Sequence, residues 1–418
     1  IRRRCDGSCP IEYEFDLPTI KALAQEQGMK PFDRIVITGD LMRPFPSGNG
    51  WVSATSKNIR WLRQVLNPAL QATGLPISML AWDERMQRHE GRYFDAPAVA
   101  SLSFGGAAWT VESPANSLQA WAAWTERLPA DPGFIEALAP AVEDALVIGY
   151  EMPPVMVDAL QTLGTPFVDV VLHPVRFMPD LIFALRSNVA AWHETFLRHR
   201  LQESAIAQQA ALIAAKAAWM APPEPLTPGC ALLLGQVGID RAVVSGGRFA
   251  SLADHLPTLH ALCADHSQIL FKPHPYGVGQ DRSAQAVMAF PAILNTQANF
   301  YHLVTQPEME VVVALNSSGL HEARYFGKQA RSLIAPLHDF DALRPPSETC
   351  AGDPVAQTQD WLGAGFWTAL LSGGAGTALS NQNESTISTW SRGEQTPNLL
   401  RRSMNADWGY GFIERICA

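Results

Sequence analysis

A chain of 418 residues with 47% hydrophobic and 17% charged side chains can bury a substantial core, and its length suits two or three domains. Lys and Arg number 31 against 40 Asp and Glu, so the formal charge of −9 offers nucleic acid and anionic lipid no general attraction, and a DNA or RNA partner is not expected. The 6 Cys (Cys5, Cys9, Cys230, Cys263, Cys350, Cys417) are too sparse for a disulfide framework and lack C-x-x-C spacing for zinc, which fits a reducing cytoplasm.

Residues 1–9 are basic, but 12–16 is acidic where a secretory signal would carry its apolar core, so no such signal is expected. The runs 34–38, 77–81, 145–148 and 167–172 are β-rich and each is followed by turn residues or a helical pattern, the rhythm of a parallel sheet wrapped by helices. Over 179–220 the pattern reads as one long helix or two in series. Its most apolar part, 205–220, is interrupted by Gln208, Gln209 and Lys216 and is too short and polar to span a membrane. Pro222, Pro223 and Pro225 end this helical stretch and mark the expected domain boundary, with a first lobe at 1–225, a second at 226–345 and a C-terminal region at 346–418.

A second series follows, with strands expected at 230–237, 268–272, 311–315 and 332–335 and helices at 252–264 and 319–326. The fold class is therefore α/β, with two Rossmann-like doubly wound lobes flanking a cleft. In such sheets ligands sit beyond the carboxyl ends of the strands, which directs attention to the loops after Val237, Lys272 and Leu315. Past 345 the rhythm fades: 357–371 reads as a helix that packs back across the lobes, and 373–391 as an irregular Gly/Ser/Thr/Asn-rich segment.

Three loops of the second lobe carry the candidate chemistry. Lys272-Pro273-His274-Pro275 ends an apolar strand in a cation, a proline-clamped turn and an imidazole, a pair suited to a phosphate or leaving group. The same composition also makes a plain rigid turn. Asn316-Ser317-Ser318-Gly319 runs from a buried strand into a helix, where free N–H groups and two hydroxyls form an anion site or simply an N-cap. Glu322 lies four residues on, facing a ribose diol or only favouring the helix's first turn. Gly235-Gln236-Val237-Gly238-Ile239-Asp240 places a carboxylate suited to act as nucleophile or base, or as a turn residue. In the first lobe, Glu151, His173 and Arg176 follow strands and face the opposite cleft wall; Arg176 can clamp a carboxylate or pair with Asp180. Asp339-Phe340-Asp341 spells the D-x-D of metal-dependent glycosyltransferases but sits in loop sequence and is set aside. There is no G-x-G-x-x-G after a strand, no P-loop and no G-x-S-x-G.

Taken together, Gln236 with Asp240, Lys272-Pro273-His274-Pro275, Ser317-Ser318 with Glu322 and Gly327-Lys328, Glu151-Met152-Pro153-Pro154, and His173-Pro174-Val175-Arg176-Phe177 resemble the bacterial retaining β-Kdo transferases of capsule and lipopolysaccharide assembly, over roughly 145–335. The His-Pro and Ser-Ser elements also resemble CMP-sialic acid transferases and teichoic-acid glycerophosphotransferases; the Gln236 to Asp240 loop favours the Kdo group.

This resemblance implies a GT-B architecture with CMP-β-Kdo as donor substrate, a glycan or glycolipid acceptor, and no metal or other cofactor. Asp240 would attack the anomeric carbon to give a covalent adduct and net retention. Lys272 and His274 would stabilise or protonate the departing phosphate. Ser317, Ser318 and Gln236 would hold the donor, with Glu322 on the ribose, while Arg176, His173 and Glu151 would face the sugar carboxylate or acceptor. The resemblance further implies a cytoplasmic enzyme, with peripheral association at the inner membrane or an assembly complex as the accompanying expectation. Two other functions stay open: a different CMP- or CDP-donor transferase, and a non-catalytic nucleotide-sugar-binding module.

Overall fold

A computed structural model describes residues 22, 30–47, 50–53, 56–82, 91–96, 98–99, 114–275, 282–348, 350–372 and 398–404. The expectations for 1–16 and 373–391 lie outside these residues. The chain forms two compact units. Described residues within 1–172, 183–201 and 339–391 belong to the first, and those within 173–182, 202–338 and 392–418 to the second. The divisions expected at 225 and 345 are not where the units part. Helix Glu203–Ala217 ends ahead of Pro222, Pro223 and Pro225 inside the second unit, because a helix ends for local reasons whereas a unit is defined by the surfaces it buries.

Among the described residues, the first unit is built on a seven-stranded sheet in the order Val355–Ala356, Phe183–Ser187, Phe167–Leu172, Ala145–Tyr150, Arg34–Gly39, Ile77–Ala81, Gly91–Tyr93. The strands from Phe167–Leu172 to Gly91–Tyr93 run parallel, and Phe183–Ser187 and Val355–Ala356 are added antiparallel. Strand Ala145–Tyr150 is buried at every position, as expected for a parallel strand covered on both faces. The long helix expected from 179 is corrected here. Residues 183–187 are a strand, followed by helices Ala190–Arg198 and Glu203–Ala217. Five residues are too few to establish a helical or strand period, and pairing with Phe167–Leu172 decides the segment. The helix expected over 357–371 is observed only as Ala364–Leu371, preceded by a 3-10 turn at Gln359–Leu362, and it packs on helix Ser56–Gln71 of the first unit.

The second unit carries a five-stranded, all-parallel sheet in the order Ile293–Asn295, Ile269–Lys272, Cys230–Leu234, Met309–Ala314, Gln329–Ser332. Alternation with period two sends Ala231, Leu233, Ile269, Phe271, Val311 and Val313 to one core and Cys230, Leu232, Leu234, Leu270, Val312 and Ala314 to the other. From the central strand Cys230–Leu234 the chain first builds outward through 269–272 and 293–295, then returns to build the other side through 309–314. The strand order reverses between Cys230–Leu234 and Met309–Ala314, the place at which sheets of this kind receive their ligands. Within the described residues, no helix is long and apolar enough to cross a membrane.

Candidate functional site

The three loops singled out from the sequence meet at the carboxyl edge of the second-unit sheet. Gln236, buried just past the central strand, accepts a 2.7 Å hydrogen bond at Oε1 from the backbone N–H of Asn316. The side-chain amide of Asn316 in turn donates to the carbonyl of Ala242 at 3.3 Å. These bonds tie the loops across the strand-order reversal. On the other side of the central strand, Gly235 N–H donates to the Lys272 carbonyl at 2.8 Å. A Cβ on Gly235 would lie 3.1 Å from His274 N and 3.2 Å from Pro273 Cα, so the turn packs tightly on this glycine and a side chain would need its backbone to give by a few tenths of an ångström.

Lys272 is half-buried at its strand end, and burial lowers its ammonium pKa while the Glu224 carboxylate acts the other way. Glu224 accepts a hydrogen bond from the Thr296 hydroxyl, and Thr296 N–H is bound to the Phe271 carbonyl. His274 is half-buried in the proline-flanked turn. Ser317 is the N-cap of helix Ser318–Tyr325, its hydroxyl accepting from Gly319 N–H at 3.3 Å; Ser318 opens that helix. Gly319 lets the helix start sit against Leu234 and Phe300, since a Cβ there would lie 2.7 Å from Leu234 Cδ1. Asp240 is exposed and caps the 3-10 turn Arg241–Val243, accepting from Ala242 N–H at 3.4 Å. Cations, hydroxyls and helix N–H groups thus share one sheet edge with an exposed carboxylate.

Glu322 points into the unit. It is 3% exposed, and its Oε1 accepts both the backbone N–H of Arg176 at 2.6 Å and the Tyr301 hydroxyl at 2.9 Å. Burial pushes its carboxyl up to about 7, while the Arg176 N–H and charge, the Tyr301 hydroxyl and the Arg401 charge pull the other way. His173 and Arg176, expected on the first lobe, belong to the second unit with Glu322. The His173 ring is buried, its Nδ1 accepts from Val175 N–H at 3.2 Å, and it meets the His321 ring edge-on at 5.3 Å. Burial, followed by the charges of His321, Arg176 and Arg324, holds its pKa well below the usual histidine range; with Nδ1 accepting from Val175, the neutral ring carries its proton on Nε2. Asp180, considered as a partner for Arg176, lies in an irregular stretch and accepts the backbone N–H groups of Leu181, Leu400 and Arg401.

Glu151 stays in the first unit, at the end of strand Ala145–Tyr150, in a left-handed conformation with φ of 46°. Its N–H is bound to the Val170 carbonyl and its Oε1 accepts from Leu172 N–H at 3.3 Å. Next to it Met152 N–H donates to Asp169, which is fully buried and paired with Arg186 at 2.8 Å. Asp339 accepts from the N–H groups of Asp341 and Ala342, a local turn that accounts for the D-x-D spelling.

Sequence reasoning missed Asn316 as a loop-joining residue, and it missed Tyr301 and Arg401 altogether. Their partners lie up to 225 residues away in the chain, and no local pattern signals them. No family profile matches the chain, and neither does any curated protein. Among solved structures, the chain is similar to Thermosulfurimonas dismutans KpsC, beta Kdo 2,7 transferase, with 13% identity and a TM-score of 0.32 over 50% of this chain and 70% of that one.

Proposed function

We propose that this chain is a metal-independent transferase that moves Kdo from CMP-β-Kdo to a bacterial surface-glycan acceptor with retention, within a GT-B arrangement. The observation that carries the reading is the joining of the Gln236 to Asp240, Lys272 to His274 and Asn316 to Ser318 loops at one carboxyl sheet edge beside the strand-order reversal, through the Gln236–Asn316 hydrogen bond and the Gly235 contact with the His274 turn. In this reading an Asp240 carboxylate oxygen bonds to the anomeric carbon as the bond from that carbon to the CMP phosphate oxygen breaks, and the electron pair leaves with the phosphate. Lys272, His274 and the helix N–H groups near Ser317 and Ser318 receive that charge, lowering the barrier electrostatically. An acceptor hydroxyl then displaces the Asp240 carboxylate from the anomeric carbon while its proton passes to solvent water, so two inversions give retention. Glu322, buried and held by Arg176 N–H and the Tyr301 hydroxyl, supports the 176 turn from within the unit instead of facing the ribose in this reading. Arg176, His173 and Glu151 are assigned to the sugar carboxylate and acceptor.

The test is intact-protein mass after incubation with CMP-Kdo. The expected result is a gain of one Kdo that disappears in Asp240→Ala. CMP release without an adduct under trapping conditions would instead favour another CMP- or CDP-donor transferase, and CMP binding without any transfer a non-catalytic binding module.

A further inference from the structure

Residues 173–182 run through the second unit without helix or strand, yet Val175, Phe177, Met178, Leu181 and Ile182 are each no more than 2% exposed. Buried irregular backbone must find hydrogen-bond partners outside regular structure. Two of them come from remote side chains. Glu322 receives Arg176 N–H. Arg401 Nη2, on helix Leu399–Met404, donates to the carbonyls of Arg176 at 2.9 Å and Met178 at 3.1 Å. The segment returns the contact, because Asp180 accepts Leu400 N–H at 3.1 Å and Arg401 N–H at 2.9 Å. The two segments are thus bound in both directions: the Arg401 side chain holds carbonyls of 176 and 178, and the Asp180 side chain holds the first N–H groups of the helix.

We infer that Arg401 is a positioning residue for His173 and Arg176, holding the 173–178 backbone so that the His173 ring keeps one tautomer and the Arg176 N–H stays on Glu322. This goes beyond the transferase reading and does not depend on which donor is bound. A guanidinium suits the role because its planar fork can serve neighbouring carbonyls, which an ammonium matches less well.

The experiment compares the full chain with Arg401→Met, Arg401→Lys and Asp180→Asn by amide hydrogen exchange, and by nitrogen-15 shifts of the His173 ring assigned with His173→Gln. In Arg401→Met, exchange at Val175 and Arg176 is expected to rise at least about tenfold, and His173 to lose its single Nε2–H tautomer. Arg401→Lys should restore part of both effects, and it carries the test alone if the Met variant fails to fold. Asp180→Asn should loosen 399–404 together with 174–178. Faster exchange confined to 399–404, a rise spread evenly over the second unit, or an unchanged His173 tautomer would each overturn the inference.

Discussion

The side-chain oxygen of Gln236 accepts the backbone N–H of Asn316 at 2.7 Å, bridging 80 residues of sequence at the point where the second sheet reverses its strand order. Removing this acceptor leaves a part-buried N–H unsatisfied. Gln236→Leu is expected to cost about 1–3 kcal/mol in urea unfolding and to weaken CMP binding in calorimetry. Gln236→Glu retains an acceptor and should lose less stability.

A methyl group at Gly235 would press on the backbone of Pro273 and His274, which cannot swing aside as a side-chain tip can. Gly235→Ala is therefore expected to destabilise by about 1–3 kcal/mol and to displace the imidazole, lowering CMP affinity further. Gly238→Ala, with no atom within 4 Å of the new Cβ, is the control and should melt like the parent. Equal melting temperatures for the two variants would show that the close approach does not matter.

Ser317 allows capping to be separated from anion binding. Ser317→Ala loses the cap on Gly319 N–H and should cost about 1 kcal/mol in thermal melts. Ser317→Asp keeps an acceptor, and an acid is favoured at a helix start, so it should melt close to the parent. Its charge would nonetheless repel a phosphate, and CMP affinity should fall at least about tenfold. Parent-like CMP binding by Ser317→Asp would place the phosphate elsewhere.

The buried carboxyl of Glu322 makes stability depend on pH. Its folded value of about 7 lies above the ordinary 4.5, so between these pH values the native state keeps a proton that the unfolded chain has released. The stabilising contribution is full below about 4.5 and is lost as the pH rises through about 7, a change on the order of 3 kcal/mol. His173 runs in the opposite sense: its depressed value gives stability above 6.5 that is lost as the pH falls through the folded value. The two are separated by subtraction. Glu322→Gln, which can still accept from Arg176 and Tyr301, should gain stability relative to the parent between pH 5 and 8, measured by urea unfolding. A constant difference across that range would contradict the buried acid.

Much of the second sheet was legible in the chain itself. Along strands Cys230–Leu234, Ile269–Lys272 and Met309–Ala314 the short runs 230–234, 269–271 and 311–315 are apolar throughout, as a strand covered on both faces requires, and each leads into polar or turn residues. Strand Ile293–Asn295 and helix Phe300–Val304 were not legible, being too short to show a period. Strand Phe183–Ser187 was misread as helix for the same reason, since its identity comes from pairing with Phe167–Leu172.

The sequence by itself determined the α/β class, the strand-end loops where polar residues gather, and the cap-forming residue types at Asp240 and Ser317, because backbone sterics and burial periodicity act over a few residues. Only the tertiary structure decided that Gln236 reads Asn316, that Glu322 turns inward to Arg176 and Tyr301, and that Arg401 returns to hold 176–178. Those contacts join groups 21 to 225 residues apart, and a buried polar atom takes as partner whatever the packed chain brings within about 3 Å.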